Sequence, residues 1–274
     1  MKIKMAKNYG FCFGVKRAIQ IAEKTKDSIT FGPLIHNPKE ISRLQFKFGV
    51  KVEENTQAIS NGQNVIIRTH GITKSDLQTL KDKNVQITDA TCPYVTKPQQ
   101  IVESMSKEGY QIVIFGDKTH PEVKGVMSYA TTPPLVVGSL EEIQAAKIKK
   151  KVALVSQTTK QAQNLLQIAS YLITHCSETR IFNTICNATF DNQESARELS
   201  EEVDVMVIVG GKSSSNTKQL LNIALQNCPD SYLVEDENDV QLQWFEGKNL
   251  CGITAGASTP DWIIDKVKEK ILSI

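Results

Sequence analysis

Three cysteines, Cys12, Cys92 and Cys186, occupy similar settings along the chain. Each lies where a helical pattern begins, most plainly in Asp89-Ala90-Thr91-Cys92-Pro93, whose proline suits a first helical turn. A thiol at a helix start feels the positive end of the helix dipole, which favours the metal-binding thiolate. Three thiolates brought together without a cation would repel one another, so a metal or cluster is their natural partner. Closed structural zinc sites take four ligands, often from Cys-x-x-Cys pairs, and the chain has no such pair. An iron–sulfur cube ordinarily takes four cysteines, so three leave one iron open to a substrate. Zinc held by three cysteines and a water stays open as an alternative.

Cys176, Cys228 and Cys251 read differently, as a helix-end residue, a turn residue before Pro229 and a core residue in Leu250-Cys251-Gly252. His175 is expected to interact with the last carbonyls of its helix. The other histidines, His36, His70 and His120, each follow a strand-like run. The matching loops elsewhere carry Thr158, Ser214, Ser215, Asn216 and Ser258, donors suited to an anion such as phosphate. The loop 210–216 resembles a phosphate cradle but lacks the GxxxxGK[ST] spacing, so ATP is not indicated. Glu122 is the one carboxylate in the set, two residues beyond His120 and after a proline. Beside an open metal in a dry pocket its pKa would rise and it could act as an acid.

Parallel α/β units would position these residues. Short apolar runs at 29–31, 65–67, 85–88, 111–115, 135–137, 152–155, 181–185, 205–209, 232–234 and 252–254 alternate with helical patterns, the one after Cys186 expected over 193–202, and the runs end in polar loops. The cysteines recur after 80 and 94 residues, which points to three similar units. The expected division is 1–90, joined by the tail 262–274, then 91–184 and 185–261. Ligands of parallel sheets gather beyond the carboxyl ends of the strands. If the units surround a pseudo-threefold axis, the polar loops converge on one site; the alternative is a doubly wound single domain.

With 40% hydrophobic and 23% charged residues and a net charge of +2, the 274-residue chain has no basic tail or acidic block. Nucleic acid and membrane surfaces are therefore not expected partners. The N-terminus lacks a signal-peptide core and no apolar run approaches spanning length, so a cytoplasmic location is expected, with reduced thiols.

The motifs GFCFGVKRA, GPLIHNP, RTHGI, DATCPYVTK, THPEVKG, SQTT, NTICNAT, SSSNT and TAGAST follow one another in order. Over nearly the whole length this series resembles the LytB family, the 4-hydroxy-3-methylbut-2-enyl diphosphate reductases. The resemblance implies a trefoil of three α/β units, with Cys12, Cys92 and Cys186 holding a [4Fe-4S] cluster. It implies a diphosphate gripped by His36, His70, His120, Ser214, Ser215, Asn216 and Ser258, a hydroxyl positioned by Thr158, and protons delivered by Glu122. It further implies reductive removal of that hydroxyl as water, giving isopentenyl or dimethylallyl diphosphate, with flavodoxin or a ferredoxin-type protein as electron donor. On the residues alone, a zinc-dependent hydrolase and a non-catalytic phosphometabolite-binding protein are the other readings.

Overall fold

The computed structural model describes residues 1–274. The N-terminal third contains β1 (Lys2–Met5), α1 (Phe13–Lys24), β2 (Ile29–Phe31), α2 (Pro38–Phe48), β3 (Lys51–Glu53), β4 (Asn64–Ile67), α3 (Lys74–Asp82) and β5 (Gln86–Asp89). The middle contains α4 (Pro93–Lys107), β6 (Gln111–Phe115), α5 (Pro121–Met127), β7 (Leu135–Val137), α6 (Leu140–Ala145), β8 (Lys151–Ser156), α7 (Ala162–His175) and β9 (Glu178–Ile181). The last part contains α8 (Asn187–Ser200), β10 (Val205–Val209), α9 (Ser215–Asn227), β11 (Ser231–Val234), β12 (Leu250–Ala255) and α10 (Asp261–Leu272).

The strands form three four-stranded parallel sheets ordered β3-β2-β4-β5, β7-β6-β8-β9 and β1-β12-β10-β11. Read from the other edge, the third is β11-β10-β12-β1, the order of the other two. Its fourth strand comes from the opposite end of the chain, with Lys2 beside Leu250 and Met5 beside Ile253. The protein is thus α/β with three similar parallel sheets, and each cysteine of the trio follows a fourth strand: β1, β5 or β9. By compactness the chain divides into one unit of 1–16, 35–43 and 187–274, which holds the third sheet, and another of 17–34 and 44–186, which holds the first two.

This membership corrects the expected division. Residues 2–5 belong with the third sheet, because β12 offers them a free parallel edge. The tail, expected with residues 1–90, also packs there: Ile263, Ile264, Val267 and Ile271 of α10 are fully buried against Val205, Val207, Val209 and Ile253. The alternate residues Met206 and Ile208 face Leu220 and Ala224 of α9 and Ala196 of α8. Both faces of the sheet are therefore covered, which is why its strands read as unbroken apolar runs. Burying one such Val or Ile contributes roughly 1.5–3 kcal/mol, so the sheets supply a rigid base for the loops at their ends. The second sheet repeats the device, with Val113 and Phe115 toward α7 and Ile112 and Ile114 toward α4 and α5.

Two boundaries shift. The run at 181–185 supplies only its first residue to β9; after it, Thr184 Oγ1 donates to the Ser156 carbonyl (2.6 Å) and accepts the Ser156 N–H (2.8 Å). The helix expected from 193 begins at Asn187, directly after Cys186.

Candidate functional site

The three cysteines are held by one repeated hydrogen bond. The Cys92 N–H donates to the Thr69 carbonyl (3.0 Å), that of Cys186 to Thr158 (3.0 Å), and that of Cys12 to Ala257 (3.2 Å). The acceptors lie in the loops after β4, β8 and β12, the third strand of each sheet. Backbone pairing, independent of the side chain, thus sets where each thiol begins. Cys92 caps α4 with Pro93 in the first turn, and its side chain makes no capping bond. Arg17 fixes the approach to it, donating to the carbonyls of Asp89 (3.1 Å) and Thr91 (3.2 Å).

All six cysteines are reduced. The trio is half-buried, whereas Cys228 and Cys251 are buried, and burial pushes the Cys251 thiol up to about 12. Cys176 ends α7, where the negative end of the dipole opposes a thiolate, and His175 Nδ1 lies 2.8 Å from the Tyr171 carbonyl as expected of a helix-end histidine. Only Cys12, Cys92 and Cys186 therefore combine accessibility with a helix start. Such a set of soft donors suits an iron–sulfur cluster or another thiophilic metal.

Glu122 occupies the first turn of α5 and is 2% exposed. Its carboxylate accepts the Thr158 N–H and the Thr158 hydroxyl, both at 2.7 Å. Burial raises its pKa to about 7, against the lowering effect of those two bonds. His120 caps the same helix, its Nδ1 accepting the Glu122 N–H at 3.2 Å. His70 meets His120 edge-on with ring centroids 5.4 Å apart. One hydrogen-bonded run thus joins His120, Glu122, Thr158 and Cys186.

The other unit gathers His36, Ser214, Ser215, Asn216 and Ser258. The Ser258 hydroxyl donates to the His36 carbonyl at 3.3 Å. Ser214 caps α9 by accepting the Thr217 N–H (3.3 Å), and half-buried Ser215 is the first residue of that helix. Asn216 is 4% exposed, yet its amide nitrogen and oxygen have no partner in the protein. Buried amides are nearly always bonded, so a polar amide left open at a helix N-terminus is the arrangement of an anion site. Gly211 lets the two loops approach: a Cβ there would lie 2.6 Å from the His36 carbonyl oxygen. Gly211→Ala is expected to displace His36 and to cost about 1–3 kcal/mol, as overpacking does; thermal unfolding checks it.

A family model described as LytB protein matches residues 3–272. The chain belongs to the LytB family. It is 70% identical over 274 residues, covering all of both chains, to 4-hydroxy-3-methylbut-2-enyl diphosphate reductase of Helicobacter pylori (strain Shi470). The protein of the same name from Wolinella succinogenes is 62% identical over 271 residues, with 99% of this chain and 98% of that one covered. Among solved structures, the E-1-hydroxy-2-methyl-but-2-enyl-4-diphosphate reductase of Plasmodium falciparum superposes with a TM-score of 0.92 at 26% identity, covering 99% of this chain and 87% of that one. A structure of (E)-4-hydroxy-3-methyl-but-2-enyl diphosphate reductase, the terminal enzyme of the non-mevalonate pathway, gives 0.72 at 41% identity, covering 100% and 99%.

Several residues that hold this LytB site in shape escaped the sequence reading. Buried Gln157 accepts the Asp117 N–H (2.9 Å) and donates to Thr159 (3.1 Å), tying together the loops that carry His120 and Thr158. Buried Thr69 donates to the Leu34 carbonyl (2.8 Å) beside His70. Asn37 caps α2, accepting the Glu40 N–H at 3.1 Å. An asparagine before a proline at a helix start was the available signal for Asn37; Gln157 and Thr69 carried none.

Proposed function

We propose that the chain catalyses the reductive dehydroxylation of (E)-4-hydroxy-3-methylbut-2-enyl diphosphate to isopentenyl and dimethylallyl diphosphate. The observation that carries this is the Glu122–Thr158 pair: a neutral-capable carboxyl, 2% exposed, bonded twice to one threonine in a chain of the LytB family. The reaction takes up two electrons and two protons and releases one water. Cys12, Cys92 and Cys186 would hold a [4Fe-4S] cluster, which when bound supplies the electrons and Lewis acidity at the substrate hydroxyl.

The chain's own residues do the rest. His36, His70, His120, Ser214, Ser215, Asn216 and Ser258 bind the diphosphate, Asn216 contributing the donor and acceptor that the protein leaves open. Backbone anchoring of these loops holds the substrate without reorganisation at the moment of reaction. Glu122 holds a proton near neutral pH and passes it through the Thr158 hydroxyl, 2.7 Å from its Oε2, which also orients the substrate hydroxyl. Burial around Glu122 keeps water from competing for that proton. A flavodoxin or ferredoxin-type protein brings the electrons, and the cytoplasm is the expected location; no helix is long and apolar enough to cross a membrane.

Purification without oxygen, followed by iron, sulfide and zinc analysis and turnover with a reduced viologen dye, tests the proposal. A brown protein with about four iron and four sulfide per chain, converting the substrate to both products, is expected. A colourless, zinc-loaded or metal-free protein, active as isolated, overturns it.

A further inference from the structure

His70 sits on a turn that one residue closes twice. The Gly71 N–H donates to the Arg68 carbonyl (3.0 Å), which makes 68–71 a turn with Thr69 and His70 at its central positions. The Arg68 side chain then folds back along the same turn, and its Nε donates to the Gly71 carbonyl at 3.2 Å. Main chain and side chain of Arg68 thus hold both polar groups of Gly71, with His70 bracketed between them. Gly71 takes φ +70°, a conformation that favours glycine.

The fold makes room for the guanidinium. It lies over Gly32 in the loop after β2, where a Cβ would come within 2.1 Å of Nη1 and 2.9 Å of Cζ. The Thr69 hydroxyl and N–H both donate to the Leu34 carbonyl, at 2.8 and 3.2 Å, so the loops after β2 and β4 are joined a second time. Beyond the turn, Ile72 is buried with Phe31 and Ile59, and Thr73 caps α3. The residues on either side of His70 are therefore fixed, and the imidazole is what they present. Burial lowers the Arg68 pKa, opposed by Glu54 and Asp76, whose carboxylates act on it through space rather than by contact. Asp76 instead accepts from the Thr73 hydroxyl (2.7 Å). A half-buried cation without an ion-pair partner costs stability, so packing alone gives no reason for an arginine here.

We infer that Arg68 is a positioning residue for anion recognition: by latching the 68–71 turn it aims the His70 ring, so that His70 and His120 present their donors to the diphosphate together. The inference rests on the proposed function, in which both histidines bind the diphosphate. Hydrogen bonds to charged oxygens are strong and directional. A turn free to rock would spread His70 over many orientations, and ordering it on binding would cost affinity. The latch sets the orientation before substrate arrives. Arginine suits the task because its Nε–H direction is fixed by the guanidinium plane, whereas lysine carries no donor at that place in the side chain.

The test uses the full chain purified without oxygen, with inorganic pyrophosphate as the probe. Calorimetry measures binding, thermal unfolding monitors the fold, and turnover separates KM from kcat. Arg68→Met should weaken pyrophosphate binding by about tenfold, the scale of one charged hydrogen bond lost. The KM for the diphosphate substrate should rise by a similar factor, with kcat within about twofold of wild type. Arg68→Lys should behave like Arg68→Met, because it keeps the charge and loses the Nε donor; it carries the same prediction if methionine lowers the unfolding temperature. In a His70→Asn background, itself weakened, Arg68→Met should weaken binding by less than about twofold further. Wild-type binding by Arg68→Lys would mean that charge alone is used, and overturns the latch. So do equal losses in the two backgrounds, losses that track the unfolding temperature in both variants, or unchanged binding in Arg68→Met. A wild type that does not bind pyrophosphate counts against the proposed diphosphate site itself, and the latch falls with it.

Discussion

Cys92→Ser is expected to give a folded protein that has lost its iron and at least about 100-fold of its turnover. The fold should survive because the N–H of residue 92 still donates to Thr69, and serine is a preferred helix cap whereas the cysteine makes no capping bond. In metal-free protein the variant should unfold at or slightly above the wild-type temperature, a gain of up to ~1 kcal/mol. Iron falls and stability does not, a separation that a core cysteine would not produce. The matched control is Cys228→Ser. That thiol is buried beside the carbonyls of Val203 (3.8 Å) and Asp230 (3.7 Å), and burial raises its pKa. Its replacement should affect packing and leave iron content unchanged. Equal iron loss in the two variants would contradict the division of the six cysteines.

The division was legible because it rests on local features: a helix start, a following proline and a preceding loop. The central strands were legible for a related reason, since sheets covered on both faces demand unbroken apolar runs such as 205–209. What escaped depends on pairing across long distances in sequence. Lys2-Ile3-Lys4-Met5 is too short and too charged to announce a strand, and its partner β12 lies at the far end of the chain. Residues 2–5 and the tail 262–274 were therefore both placed with 1–90, whereas both belong with the third sheet. The periodicity of α10 showed that it has an apolar face, and nothing in that face says which of three similar sheets it covers. The site divides along the same line. Cysteines, histidines and Glu122 declare themselves by residue type at strand ends, whereas the demand for Gly211 arises only from the His36 carbonyl that a Cβ would meet.

Glu122→Gln is the substitution with the cleanest expected signature. Glutamine has the shape of the neutral acid, its Oε1 can accept the Thr158 N–H, and its amide can donate to Thr158 Oγ1, which rotates to accept. No buried polar atom need lose its partner, so the fold should hold. What is lost is the transferable proton, and turnover should fall by roughly 10²–10⁴ with iron content and diphosphate affinity close to wild type. In the wild type, turnover should decline as pH rises through about 7, where Glu122 gives up that proton.

Stability supplies an independent readout of the same group. Burial raises the folded-state pKa to about 7, above the ordinary 4.5 expected of the unfolded chain. Between those values the folded protein keeps a proton that the unfolded chain has released. The stabilisation associated with the neutral carboxyl is therefore complete below about 4.5, and it is lost progressively until pH passes 7. The full loss is on the order of 3 kcal/mol at alkaline pH. Glutamine does not titrate, so the stability difference between wild type and Glu122→Gln should shift in favour of the variant by most of that amount, about 2.5 kcal/mol, from pH 5 to pH 8.5. Chemical denaturation at both pH values measures it, and the groups common to both proteins cancel in the difference. A difference that does not move with pH would mean that Glu122 is ionised throughout, and would remove it from the proton path whatever the variant does to turnover.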